Sequence, residues 1–171
     1  MKASSVSLTA ALVCWALTAT LTTAACASDV QDTAAVTSED TNENYLDAPQ
    51  TPGDWLYVDE PAESLGLFGI GNPVHPFVIR CDKRTRRIGL ARRTEQSGPL
   101  AMVITTETTK RQMVAQSVKG YGLAAADLDP GDSLFDAMAI TKGRFVVEVE
   151  GEDALYVPAW AEVSRVIEDC R

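Results

Sequence analysis

Few side chains in this sequence are equipped for chemistry. There is a single histidine, His75, set in the rigid stretch Pro73-Val74-His75-Pro76. A Ser-His-Asp or Cys-His nucleophilic site would need it, and no Gly-x-Ser-x-Gly elbow accompanies it. A lone histidine in a proline turn reads as a surface or packing residue. One histidine does not complete a common zinc set when two of the cysteines are expected to bond to each other. Asp127, Asp129 and Asp132, around Pro130-Gly131, have a calcium-loop flavour, but the glutamate that an EF-hand spacing requires is missing. Turn and capping chemistry accounts for these aspartates. The run Gly66-Leu67-Phe68-Gly69-Ile70-Gly71 lacks the helix that a phosphate-cradling loop needs. Glu148, Glu150 and Glu152 are the candidates for a paired-carboxylate hydrolase acting on the cell wall. Strand alternation puts Glu148 and Glu150 on the solvent side. No catalytic, cofactor-binding or metal-ligating residue is assigned, and no cofactor is implied.

One stretch is built to bind. Arg80, Lys83, Arg84, Arg86, Arg87, Arg92 and Arg93 place seven positive charges within 14 residues. Guanidinium groups at that density suit anionic lipid headgroups, lipopolysaccharide phosphates or an acidic partner. The same charges could instead receive the chain's own acidic tail, or serve only to solvate a hairpin and blunt an edge strand.

The cysteines narrow the compartment. Cys14 lies in the leader, and Cys26 either leaves with it or carries lipid. Cys81 and Cys170 remain as a pair, and in an oxidising compartment two such cysteines are expected to form a disulfide. Neither belongs to a Cys-x-x-Cys redox motif.

The leader itself spans residues 1–27. Lys2 is followed by the apolar run Leu8 to Leu17 and by the small-residue end Thr23-Ala24-Ala25-Cys26-Ala27, the layout of a bacterial-type export signal. Two cleavages fit. Ala25-Cys26-Ala27 offers small residues to an ordinary signal peptidase and leaves Ser28 first. Thr23-Ala24-Ala25-Cys26 resembles a lipobox and leaves Cys26 first and lipidated, which with Ala27 next implies the outer membrane. The apolar run is shorter than the roughly 20 residues of a membrane-crossing helix. Membrane contact is therefore expected only through a lipid on Cys26.

The net charge of −9 becomes −10 once Lys2 is removed with the leader. It is unevenly placed: ten acidic residues and no Lys or Arg lie between Ala27 and Glu63, whereas Ser64 to Arg171 holds 14 of each sign. The balance disfavours nucleic acid as a partner. Residues 28–53 are polar and acidic, with too little apolar surface to offset the entropy of ordering, and read as a disordered tether. If Cys26 is anchored, the chain from there to Trp55 reaches roughly 30 Å as a flexible coil. Residues 54–171 suit one compact domain.

Within that domain the pattern is strand-dominated. Short strands are expected at 54–58, 65–70, 77–81, 86–91, 100–106, 111–126 (broken at Gly120-Tyr121-Gly122), 144–150 and 154–157. A helix capped by Asp132 or Ser133 should bury Leu134, Phe135, Met138 and Ala139 and end at Gly143. A last helix, starting at Pro158, should carry a stripe of Trp160, Val163, Val166, Ile167 and Cys170. The expected class is α+β: an antiparallel sandwich or partly open barrel of seven to nine strands with one inserted helix and a C-terminal helix.

The C-terminal third carries a resemblance. Leu134-Phe135-Asp136-Ala137-Met138, Lys142-Gly143 leading to Arg144-Phe145-Val146-Val147, Leu155-Tyr156-Val157-Pro158, and a helix ending in Cys170 follow one another. This layout resembles the invasion-associated locus B family and type VI secretion accessory lipoproteins. It is closer still to uncharacterised alphaproteobacterial exported proteins ending in an Arg-Val-Ile-Glu-Asp-Cys-Arg run, here Arg165 to Arg171. The resemblance covers residues 134–171 only and its motifs are structural. It implies an exported β-rich accessory domain, and no functional residue carries over. The expected role is a non-enzymatic periplasmic or envelope module that binds an envelope protein or anionic lipid. The alternatives are a carboxylate-dependent cell-wall hydrolase and a purely structural lipoprotein.

Overall fold

The computed structural model describes residues 45–71 and 75–171. The leader, Cys26 and most of the tether lie outside the described residues. Among the described residues there are nine strands and two helices. They run β1 (Asp54–Asp59), β2 (Glu63–Gly69), β3 (Phe77–Asp82), β4 (Arg87–Arg93), β5 (Pro99–Thr105), β6 (Lys110–Val118), β7 (Leu123–Leu128), α1 (Ser133–Ile140), β8 (Arg144–Val149), β9 (Leu155–Pro158) and α2 (Ala161–Asp169). No helix among them is long and apolar enough to cross a membrane.

All nine strands form one sheet in the order β1-β2-β3-β4-β7-β6-β5-β8-β9, with every neighbour antiparallel. The expected α+β class with an antiparallel, partly open barrel is what the chain adopts. After β4 the chain skips two places, makes the β5–β6 hairpin, and returns through β7 to pair with β4.

The sheet curls over its own inner face. Phe77 on β3 meets Phe145 on β8 edge-on, with ring centroids 6.0 Å apart, although those strands are third and eighth in the order. Trp55 joins the same cluster at 5.4 Å from Phe68 and 6.2 Å from Phe77. Phe68, Phe77, Ile79, Ile88, Leu90, Met102, Ile104 and Phe145 are fully buried. The two open edges meet without a ladder. The Trp55 indole N–H donates to the Pro158 carbonyl at 2.8 Å. Just ahead of β1, Thr51 N–H donates to Tyr156 O at 3.0 Å, and Thr51 Oγ1 accepts from Tyr156 N–H at 2.8 Å. Arg144 reaches the Ala48 carbonyl beside them.

Of the two caps expected for α1, Asp132 is the one used. Its carboxylate accepts from Leu134 N–H and is also gripped by Arg111 at 2.8 Å. The last helix starts later than expected. Pro158 is held in β9 by its pairing with Arg144 and by the Trp55 bond, so α2 begins at Ala161. Trp160 becomes its N-cap and is 43% exposed, outside the buried stripe. Val163, Val166, Ile167 and Cys170 do face inward, against β1, β2 and β3. Gly66 makes room for this: a Cβ there would stand 3.2 Å from the Trp55 ring and 3.4 Å from Val166.

Two devices hold α2. A disulfide joins Cys170 to Cys81 on β3, with Cα atoms 5.6 Å apart and 89 residues between them in sequence. Around it, Tyr57 Oη donates to Asp169 at 2.7 Å, and Arg165 stacks on the Tyr57 ring at 4.0 Å. Burial alone would raise the Asp169 carboxyl. The Tyr57 hydrogen bond and the nearby Ser64 hydroxyl, with Lys83 and Arg165 around it, outweigh that and hold it below the usual carboxylate range. Burial, together with the bond to Asp169, raises the Tyr57 phenol.

The disulfide closes a loop whose entropy in the unfolded chain is worth ~4–5 kcal/mol. Replacing both cysteines (Cys81→Ala with Cys170→Ala) should lower the unfolding free energy in urea by roughly 4 kcal/mol; a loss of only a few tenths would mean that packing alone holds α2. The Asp169 contribution is full above the unfolded aspartate value near 3.9 and is lost as pH falls through the depressed folded value. Asp169→Asn should therefore flatten part of the fall in stability below about pH 4, measured by urea melts at stepped pH. Asp82, held low chiefly by the Thr85 N–H bond, keeps a residual fall in the variant.

Candidate functional site

An antiparallel sheet with its core on one side normally shows polar side chains on the other. Here the outer face carries an apolar row. The register aligns Leu56, Leu67, Val78, Ala91 and Ala125 across β1, β2, β3, β4 and β7. Leu56 is 50% exposed, and the other four are half-buried, with neither described helix making its main contacts on this row. Leu65 on β2 and Leu123 on β7 lie on the same face in the flanking rows, opposite Arg80 and Arg93. Between them the face sinks into an open groove of about 570 Å³. That volume is within the range of small-ligand sites, roughly 300–1,000 Å³.

Its floor is made of small residues, Gly89, Ala91 and Ala125, and its walls of Leu65, Leu67 and Val78 on one side and Val118, Tyr121 and Leu123 on the other. Tyr121, in the β6–β7 loop, stands 72% exposed.

The end of the groove is polar. Register places Arg80, Gly89 and Asp127 side by side on β3, β4 and β7. Arg80 bonds Glu63 through Nε and approaches Asp82 at 3.5 Å through Nη2. The Glu63 bond is the main reason its guanidinium is held more firmly protonated than usual. Asp127 leans over Gly89, whose absent Cβ would come 2.9 Å from Asp127 Oδ1. Among the described residues the Asp127 carboxylate makes no hydrogen bond or close ion pair, and it feels Arg80 only at longer range. The result is a polar end in which the Asp127 carboxylate covers Gly89 beside unused guanidinium donors of Arg80.

The seven basic residues do not form one surface. Arg80 and Lys83 are engaged by Glu63 and Asp59, and Lys83 also bonds Glu60 O at 2.9 Å. Arg87 donates to the Asp127 carbonyl at 2.9 Å. Arg84 and Arg86 remain exposed at the turn, where Arg86 takes the left-handed conformation (φ 51°). Arg92 points inward and is 7% exposed, with its guanidinium on the carbonyls of Arg93, Asp153 and Pro76 at 3.0, 3.2 and 3.3 Å. Burial lowers its pKa, against the pull of Glu152 and Asp153. Arg93 lies at the far end of β4, roughly 20 Å from Arg87 at about 3.3 Å per residue.

The other candidates are also placed. His75 lines a cavity of about 240 Å³ with Trp55, Leu56 and Leu67, and its Nδ1 is buried without a partner among the described residues. Pro73 and Val74 lie outside the described residues. Glu148, Glu150 and Glu152 do share a shallow concavity of about 450 Å³ with Lys110 and Gln112 on the outer face of β5 and β8. Glu152 also accepts from Thr94 at 2.7 Å, in the adjoining cleft lined by Arg93 and Gln96. Among the described residues no group of three or more His, Cys, Asp or Glu side chains is placed to hold a metal.

The groove was not anticipated from sequence, although two signals were present. Leu65 and Leu67 are in phase with each other and out of phase with inward Phe68, and Ala124-Ala125-Ala126 is apolar on both faces.

No family model, curated protein or solved structure matches the chain. The site therefore stands on its geometry.

Two glycines should respond oppositely to alanine. Gly89→Ala meets only the flexible tip of Asp127 and removes a strand glycine, so its stability should change by less than about 0.5 kcal/mol. Gly66→Ala presses on the Trp55 ring and Val166 and should cost about 1–3 kcal/mol. Urea melts of both variants measure the contrast.

Proposed function

We propose that this protein is an exported, non-enzymatic envelope module that binds an apolar part of a partner in the groove on its outer sheet face. The observation that carries the reading is the apolar row Leu56-Leu67-Val78-Ala91-Ala125. Exposed apolar surface concentrated in a groove is unusual on a monomer and marks interaction sites. The leader at 1–27, the acidic tether at 28–53 and the Cys81–Cys170 bond support export, and the tether supports display of the domain away from a surface. The resemblance of residues 134–171 to invasion-associated locus B proteins accords with an accessory role.

A polarity-sensitive dye tests the groove. The full mature chain should bind and brighten such a dye. Ala91→Gln and Ala125→Gln, both on the outer face, should weaken dye affinity about tenfold with an unchanged melting temperature. Equal affinity in the variants removes the groove from the reading.

Export has its own test in the intact mass of the unreduced protein from soluble and membrane fractions. A chain beginning at Ser28, or at an acylated Cys26, is the expected result; a chain that keeps residues 1–27 in the cytosol overturns export.

A second reading, a carboxylate-dependent hydrolase, is favoured by the concavity that Glu148, Glu150 and Glu152 share. Release of soluble fragments from purified cell wall, lost in Glu148→Gln or Glu150→Gln, would replace the binding reading with that one.

A further inference from the structure

We draw no further inference here: the strongest candidate, the polar end of the outer-face groove where Asp127 leans over Gly89 beside Arg80, belongs to the site already described, and nothing in the structure shows what covers it.

Discussion

An open antiparallel sheet has two edges, and in this fold both come to Trp55. Its ring lies on Phe68 and Phe77 inside the curl, and its N–H bonds Pro158 at the far end of the strand order. A buried indole N–H has to find an acceptor, and the acceptor here is the last carbonyl of β9. That requirement fixes where the ends of the sheet meet. Thr51 then pairs with Tyr156 beside it, so edges left unpaired by the ladder are covered by the chain's own strap. Gly66 follows from the same constraint, because the indole and α2 both press on β2 at that point.

The C-terminal helix is held to this curl by covalent and polar means. The disulfide is buried against β3, and Asp169 gathers Tyr57 and Ser64 near it. Arg92 belongs to the same economy of closure: its charge is spent on three carbonyls between the β3 entry and the β8–β9 turn. A residue that sequence groups with a basic surface is thereby part of the interior. Lys83 and Arg80 are likewise neutralised by carboxylates brought from β1 and β2.

Curling has a consequence on the other side of the sheet. Once Phe68, Phe77, Ile79 and Leu90 take the inner face, the residues between them must face out. Those residues include Leu67, Val78 and Ala91, and pairing of β4 with β7 adds Ala125 and Leu123. Small side chains on β4 and β7 between taller ones on β2 and in the β6–β7 loop make a groove of what would otherwise be a flat surface. The grooved face and the core are thus two sides of the same strands, set by one register.

Much of the fold was legible in the residues. Alternation located the strands within a residue or two, the apolar stripe of Val163, Val166, Ile167 and Cys170 located α2, and the Asp132 cap marked α1. Composition left Cys81 and Cys170 as the pair that the structure joins. These are local signals, carried by periodicity and by residue type. What tertiary structure decided is which strands are neighbours and which face of each is inner. A period of two is symmetric between faces, so Leu65-Gly66-Leu67-Phe68 does not declare that its leucines look outward. Nor does it announce that β4 pairs with β7, nor that Trp55 finds an acceptor 103 residues away. Those outcomes depend on contacts distant in sequence, and only the folded sheet, choosing one curl to bury its aromatics, brings them about.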